Sequence, residues 1–129
     1  MLKTSCHCGA VHIEVARKPK AITECNCSVC RRYGARWAYF LSKSVKIVAP
    51  AKGLQSYTRG KALFFDRCRR CGCVMLWRPK VSRGTADRLG INMRHIENPD
   101  ALENIRVQIF DGAKSWRDVG TRKLTQPWW

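Results

Sequence analysis

The stretch ALFFDRCRRCGCVMLWRP, residues 62–79, places three cysteines between two runs of apolar residues. Both runs are short and rich in aromatic and branched side chains, which favours β-strands over helices. Between them, Cys68-x-x-Cys71 has the spacing at which two thiolates bind one metal ion. Gly72 follows at once, and glycine readily adopts the positive φ that such a turn needs. The stretch therefore predicts two strands joined by a metal-binding turn.

Most of the remaining chain shows the same pattern of short strands separated by Gly and Pro. Residues 11–17 alternate apolar and polar side chains, residues 36–50 contain two apolar runs, and residues 54–60 and 105–112 each contain one more. Helical signals are confined to a short turn from Cys30 to Tyr33, which Ser28 is placed to cap, and to a turn that begins at Asn98-Pro99. The sequence predicts a mainly β fold with short helical turns.

The length of 129 residues suits one domain with its own core, so residues 1–129 are predicted to form a single domain. No apolar stretch approaches the roughly 18 residues of a membrane span, and the first residues lack the apolar run of a signal peptide. We therefore expect a cytoplasmic protein with no membrane partner. In that reducing compartment, eight cysteines favour metal binding over a disulfide framework.

The eight cysteines fall into three groups along the chain. Cys6 and Cys8 are two residues apart, so on a strand their side chains share one face. A modest lean brings the two sulfurs to the roughly 3.8 Å separation of a tetrahedral zinc site with bonds of about 2.3 Å. Together with Cys68 and Cys71 they predict a closed, structural four-sulfur zinc site that ties the two parts of the chain together.

The middle group contains Cys25, Cys27 and Cys30, within the segment ECNCSVCRRYG at residues 24–34. Three protein ligands leave one position of a tetrahedral zinc ion open for an exogenous ligand, which is the mark of a catalytic site. If a helical turn starts at Ser28, its N–H groups favour the thiolate form of Cys27 and Cys30.

Cys73 leaves two arrangements open. It either completes the middle group, which would give two closed four-sulfur sites, or is a small buried apolar side chain. There are two further alternatives. One is a zinc-ribbon scaffold without catalysis, and the other is simple thiol or disulfide chemistry. His7 and His12 lie on the far faces of their strands and are not predicted as ligands, and His95 is unplaced.

The large aromatic residues are predicted chiefly as core residues, with one or two forming a pocket wall. They are Trp37, Tyr39, Phe40, Phe64, Phe65, Trp77 and Trp116. The final Pro127-Trp128-Trp129 is predicted to dock on its own domain or on a second subunit.

Three segments, CHCGAVHIEV, CNCSVCRRYGA and FFDRCRRCGCVM, resemble in order and spacing the signature segments of the glutathione-dependent formaldehyde-activating enzyme family. The domain of this family also occurs in centromere protein V. INMRHIENPDAL and VQIFDGAKSW resemble weaker family segments, so the resemblance covers residues 6–116. It implies a β-tent fold, in which antiparallel sheets surround zinc.

The resemblance also implies two Zn²⁺ ions per chain. The structural ion would be bound by Cys6, Cys8, Cys68 and Cys71, and the catalytic ion by Cys25, Cys27 and Cys30. The implied reaction joins formaldehyde to glutathione to give S-(hydroxymethyl)glutathione, which is a carbon–sulfur lyase reaction run in reverse.

The sequence departs from the family pattern at three places, none of which is a proposed ligand. Cys73 stands where the family usually has Thr or Ser, Arg94 stands near a usual Gly, and Glu97-Asn98-Pro99 replaces a more common Asp-Asp-Pro. The last two places lie in a segment that could border a pocket.

A zinc ion bound by three thiolates is a weak Lewis acid, which suits it to capture and deprotonate a thiol. We therefore expect a small thiol substrate such as glutathione. Arg31 and Arg32 follow the last cysteine directly, and arginine binds carboxylates in a bidentate manner. Both arginines are candidate substrate-binding residues, and the alternative is that both are simply solvated.

Lys and Arg number 25 against nine acidic residues, which gives a formal net charge of +16. This excess supports a rival function, a non-enzymatic zinc-binding module whose basic surface binds nucleic acid or another acidic partner. The sequence shows no recognition helix or base-stacking motif, and its basic residues are spread along the whole chain. The enzyme is therefore the preferred interpretation.

Overall fold

A computed structural model describes residues 1–125, which form eleven β-strands joined by turns and short helices. The strands are β1 (Leu2–Ser5), β2 (His12–Val15), β3 (Ala21–Cys25), β4 (Trp37–Leu41), β5 (Val45–Val48), β6 (Leu54–Tyr57), β7 (Leu63–Cys68), β8 (Val74–Pro79), β9 (Arg88–Asn92), β10 (Ile105–Asp111) and β11 (Arg117–Leu124). The helical part consists of α1 (Cys30–Tyr33) and 3₁₀ turns at Ser42–Ser44, Gly84–Ala86, Met93–His95 and Pro99–Leu102. The predicted mainly β fold is confirmed.

The strands form two sheets. The smaller has the order β1-β2-β5, and the larger has the order β11-β10-β3-β4-β9-β8-β7-β6. The expectation that all strands are antiparallel is wrong at one pair, since β3 and β10 run parallel, from Ala21 opposite Arg106 to Cys25 opposite Phe110. A parallel pair brings the ends of both strands to one edge of the sheet. The turn after β10 is therefore placed beside Cys25 and Cys27.

Two apolar clusters fill the interior, and each one adjoins a different group of cysteines. The larger cluster contains Cys6 and Cys68 together with branched side chains of β2, β8 and β9. The smaller one is built on Cys30, Trp37 and Phe65. Each group of cysteines is thus anchored in a packed interior through its buried members, which are Cys6 and Cys68 in one group and Cys30 in the other.

The predicted helical turn after the middle cysteines exists and ends at Gly34, which has a φ of 62°. Its predicted cap is wrong. The residue before the helix is Val29, and no side chain caps it. The backbone oxygen of Ser28 instead accepts a hydrogen bond from Arg32 Nη1 at 2.7 Å. The second turn begins at Pro99 as predicted.

None of the helical segments described is long and apolar enough to cross a bilayer. The prediction that the closing Pro127-Trp128-Trp129 docks on a protein surface falls outside the described residues.

Candidate metal centres and the adjoining cleft

Four cysteine sulfurs, from Cys6, Cys8, Cys68 and Cys71, lie within 4.8 Å of one another. The Cys8 sulfur is 3.6 Å from that of Cys6 and 3.6 Å from that of Cys68. A tetrahedral zinc ion with bonds of about 2.3 Å requires sulfur separations of roughly 3.8 Å. The four side chains therefore fit one zinc ion with only small adjustments, and they fill its coordination shell.

Two similar turns present these sulfurs, so the prediction that Cys6 and Cys8 share the face of a strand is wrong: β1 ends at Ser5, and both cysteines lie in the turn that follows. In one, Gly9 N–H donates to the Cys6 oxygen at 3.0 Å, and in the other Gly72 N–H donates to the Cys68 oxygen at 2.8 Å. Both glycines have a φ of 80°, a value that side chains on other residues strongly disfavour. The sequence places a glycine at each turn for this reason.

Backbone N–H groups support the charged form of two of these cysteines, Cys71 and Cys6. At Cys8 the Ala10 N–H lowers the pKa, but burial and the neighbouring cysteines outweigh it and raise the pKa to about 11. Burial opposes ionisation of Cys71, but N–H groups of Cys73 and Cys8 outweigh it and lower the pKa of Cys71 to about 5. At Cys6, burial again raises the pKa, and the N–H of Val11, which lies 3.3 Å from the sulfur, contributes to a net lowering. Thiolate is the form that zinc binds.

The second centre consists of the sulfurs of Cys25, Cys27 and Cys30, which lie within 4.8 Å of one another. Within residues 1–125, no fourth Cys, His, Asp or Glu joins this group. The donor set is rich in sulfur and partly buried, which fits zinc, and it occupies three of four tetrahedral positions.

Cys73 does not complete the second centre. Its side chain packs with Cys71 against the larger cluster. Burial raises the pKa of Cys73, and the Cys71 and Cys6 thiolates raise it further. These neighbours place the Cys73 thiol beside the four-sulfur group, so the arrangement with two closed four-sulfur sites does not agree with the structure.

Three N–H groups point at the sulfurs of the second centre. The backbone N–H of Cys27 donates to Cys25 Sγ, the backbone N–H of Cys30 donates to Cys27 Sγ, and Trp37 Nε1–H donates to Cys30 Sγ, each at 3.4 Å. For Cys27, burial is outweighed by such donors and the pKa is lowered. For Cys30, burial and the neighbouring Cys27 raise the pKa. The site disperses negative charge through fixed donors.

The turn after β10 encloses the second centre from one side. Asn26 Nδ2 donates to Asp111 Oδ1 at 3.0 Å, and the backbone N–H of Ala113 donates to Asn26 Oδ1 at 3.0 Å. Asn26, Ser115 and backbone N–H groups together lower the pKa of Asp111. This network fixes the turn to the segment that carries Cys25 and Cys27.

Trp116 ends the same turn, and the prediction that it belongs to the core is wrong. Its side chain is 70% exposed, and its φ is 57°, an unusual value for a bulky residue. The backbone N–H donates to the Asp111 oxygen at 2.7 Å, and the indole contacts Phe110 edge to face with ring centres 5.1 Å apart. The local hydrogen bonds thus hold an exposed indole beside the second centre.

Tyr39, which was predicted only as a core or pocket-wall residue, is a second aromatic residue near this centre. It packs on the smaller cluster, and the neighbouring Thr23 side chain lowers its pKa less than burial raises it. Burial raises the pKa of Tyr39, and the thiolates of Cys25 and Cys30 raise it further. The phenol is therefore a neutral hydrogen-bond donor at physiological pH.

A cleft of about 550 Å³ lies between α1, the Gly72–Val74 turn and the Met93–His95 turn. Its walls include Arg32, Tyr33, Cys73, Asn92, Arg94 and His95. The two predicted substrate-binding arginines differ here: both are exposed, but Arg32 lines the cleft and Arg31 does not. The ring Nε2 of His95 lies 3.0 Å from the Val74 oxygen, and burial lowers the pKa of His95.

Comparison with known proteins identifies the group to which the chain is related. The model of the glutathione-dependent formaldehyde-activating enzyme family matches residues 1–112. The fold is similar to the crystal structure of a Rhodobacter sphaeroides protein, with a TM-score of 0.63 and 32% sequence identity, covering 78% of this chain and 94% of that chain. The chain belongs to the glutathione-dependent formaldehyde-activating enzyme family.

Proposed function

We propose that the protein is a zinc-dependent carbon–sulfur lyase that acts on glutathione or a similar thiol adduct, forming S-(hydroxymethyl)glutathione from glutathione and formaldehyde. Cys25, Cys27 and Cys30 would hold the catalytic zinc. The four-sulfur group of Cys6, Cys8, Cys68 and Cys71 would hold a second, structural zinc.

One observation carries the proposal: the contrast between a four-sulfur group and a three-sulfur group in the same small domain. The first has a full set of protein ligands. In the second, the described part of the chain supplies three, so the fourth position is available to a substrate thiol. Zinc bound there would lower the pKa of that thiol and supply a thiolate at neutral pH.

The residues of the second centre accommodate the extra negative charge. The N–H groups of Cys27, Cys30 and Trp37 already point at the cysteine sulfurs, at 3.4 Å each. Such fixed donors need no rearrangement when a further anionic sulfur enters, which is the form of stabilisation that contributes most in enzyme sites.

The carbon–sulfur bond forms when an electron pair of the thiolate sulfur attacks the formaldehyde carbon. The electron pair of the carbonyl π bond moves to oxygen, and this oxygen takes up a proton. Tyr39 is the candidate donor, because its neutral hydroxyl is held near the Cys25 and Cys30 thiolates. In the reverse direction the adduct hydroxyl loses this proton, the carbon–sulfur bond breaks, and formaldehyde leaves.

Exchange NMR tests the proposal directly. Formaldehyde and glutathione are mixed at equilibrium, and the rate of exchange between free thiol and adduct is measured with and without a substoichiometric amount of zinc-loaded protein. Because the uncatalysed addition is itself fast, the control is Cys27→Ser at the same concentration. Exchange that rises in proportion to wild-type protein supports catalysis, whereas equal rates with both proteins contradict it.

The net charge of +16 motivates the second candidate function, a non-enzymatic zinc module with a basic surface. Helix-based groove recognition does not suit it, since α1 spans only Cys30–Tyr33 and is the longest α-helix between residues 1 and 125. Salt-sensitive binding of nucleic acid without any acceleration of exchange would favour this function over the enzyme.

A further inference from the structure

We propose that the cleft between α1 and the Gly72–Val74 turn binds a carboxylate group of the thiol substrate, with Arg94 and Arg32 as its cationic partners. The inference rests on the proposed function and deepens it, because it assigns the part of the substrate that does not react. Such a cleft would bind thiols that carry a carboxylate more tightly than neutral thiols of similar size.

The cleft is next to the three-sulfur centre. Tyr33 and Val74 line the cleft, and the same two side chains pack on the apolar cluster that contains Cys30. Gly34 N–H donates to the Cys30 oxygen at 3.0 Å, so the cleft starts one helical turn beyond that ligand. One turn of helix advances by about 5.4 Å, a distance that a small peptide thiol spans easily.

The charge of the cleft walls is not balanced by the protein. Within residues 1–125, no carboxylate lies within ion-pair distance of Arg32 or Arg94. The nearby acidic residue, Glu24, is already engaged by Arg36 at 3.1 Å and by Arg122 at 2.6 Å. An anion that entered the cleft would therefore meet positive charge without displacing an existing partner.

The Arg94 guanidinium has N–H donors available for a ligand. Its Nε–H donates to the Gly34 oxygen at 2.8 Å, and the rest of the guanidinium makes no hydrogen bond to a residue in the described range. Burial, and then repulsion from Arg36, lowers the pKa of Arg94, so an incoming carboxylate would relieve an existing electrostatic cost. A guanidinium binds a carboxylate through two parallel N–H donors, which fixes its orientation.

The backbone that carries Arg94 is held in place. Asn92 Oδ1 accepts from Arg36 N–H and from Arg94 N–H at 3.2 Å each, and Asn92 Nδ2 donates to the Val74 oxygen at 2.9 Å. Asn92 is buried, so this junction between β4, β8 and β9 is shielded from water. The Arg94 side chain itself is exposed, and the hydrogen bond from its Nε–H to the Gly34 oxygen restrains the guanidinium, which reduces the entropy lost on binding.

The shape of the site favours a small ligand over a polyanion. A volume of about 550 Å³ is within the range of small-molecule pockets. Nucleic-acid backbones are bound along extended grooves with many cationic contacts, and this recess offers two arginines at one point.

Isothermal titration of the zinc-loaded protein tests the assignment with two probes, glutathione and the uncharged thiol N-acetylcysteamine. For wild type we expect both thiols to bind and glutathione to bind more tightly. Arg94→Ala should weaken glutathione binding roughly tenfold to hundredfold, the effect of losing a hydrogen-bonded charge pair, and leave N-acetylcysteamine unchanged. Arg32→Ala should act in the same direction.

Arg31→Ala is the matched control, because Arg31 belongs to the same helix but does not line the cleft. It should leave both affinities unchanged, and each variant should retain the wild-type zinc content and circular dichroism spectrum. Equal glutathione affinity in wild type, Arg94→Ala and Arg32→Ala would overturn the cleft assignment alone. Failure of both thiols to bind wild-type protein would instead contradict the proposed function, and this inference with it.

Discussion

Gly112, directly after β10, lies against the sulfur of Cys25 at the end of β3: a β-carbon on this glycine would be 2.5 Å from Cys25 Sγ. It would also be 3.2 Å from Cys27 Cβ and 3.5 Å from Cζ3 of Trp116. The parallel pairing of β3 and β10 creates this contact. A glycine is required here because a side chain would collide with the Cys25 sulfur, and not because of the backbone conformation.

Gly112→Ala should therefore displace the Cys25 sulfur and weaken zinc binding at the second centre. Overpacking of this kind costs about 1–3 kcal/mol, which corresponds to roughly a fivefold to 150-fold loss of zinc affinity. The measurement is zinc content after graded exposure to a chelator. Gly120→Ala is the control, because a β-carbon there would meet only Ile109 at 3.8 Å. If both variants release zinc as wild type does, Gly112 does not shape the site.

The two cysteine groups should respond differently to loss of a ligand. Cys68→Ser opens the closed four-sulfur group within the larger cluster, and we expect it to destabilise the fold by on the order of 5 kcal/mol, because structural zinc binding contributes directly to folding. Cys27→Ser should lose the second zinc and the exchange activity but keep the fold. Thermal unfolding with zinc analysis distinguishes them, and equal loss of stability in both variants would refute the division into structural and catalytic sites.

Trp37 supplies the one side-chain donor to the second centre among the described hydrogen bonds, through Nε1–H to Cys30 Sγ at 3.4 Å. Trp37→Phe removes this donor, and a hydrogen bond to a charged group contributes about 1.5–3 kcal/mol. We expect weaker retention of the second zinc in chelator competition. Trp77→Phe is a suitable control, since Trp77 packs on the same cluster without a hydrogen bond to sulfur. Similar zinc loss in both variants would assign the effect to packing.

Tyr39→Phe should lower the exchange rate by on the order of 10²-fold or more, the usual contribution of a positioned proton donor. Zinc content and glutathione affinity should not change. Since burial raises the pKa of Tyr39, the folded protein disfavours its phenolate. Stability should be unaffected by Tyr39 below its unfolded pKa near 10 and should fall as the pH rises above it.

The alkaline loss of stability should be smaller in Tyr39→Phe than in wild type, measured by denaturant unfolding between about pH 9 and pH 11. A variant with full exchange activity would exclude Tyr39 as the proton donor. An unchanged pH dependence would show that its phenolate is not disfavoured by the fold.

The sequence predicted the two metal groups because their ligands follow local rules: paired cysteines two or three residues apart, with glycine at the positive φ after each turn. It predicted strands where apolar residues alternate or cluster, as in β2, β4 and β8. It missed β3, β9 and β11, and in β11 every residue from Arg117 to Lys123 is exposed. An edge strand of this kind is formed by pairing with β10 and has no buried face to leave a pattern.

The features of the site that the sequence did not predict depend on contacts between segments that are far apart in the chain. The parallel pairing of β3 with β10 joins distant segments, and no local signal places Gly112 beside Cys25. Trp116 was expected in the core because large aromatic residues are usually buried, whereas hydrogen bonds within the turn from Asp111 hold it outside. The cleft likewise depends on α1 and the Asn92–Arg94 segment meeting in three dimensions.

The central claim is that the second zinc is held by three protein thiolates and accepts a substrate thiol. It is tested most directly by a zinc-edge anomalous map of crystals grown with glutathione. We predict two zinc peaks per chain, the second coordinated by Cys25, Cys27, Cys30 and the glutathione sulfur. A single zinc, or a second zinc whose fourth ligand is Cys73 or another protein side chain, would contradict the claim.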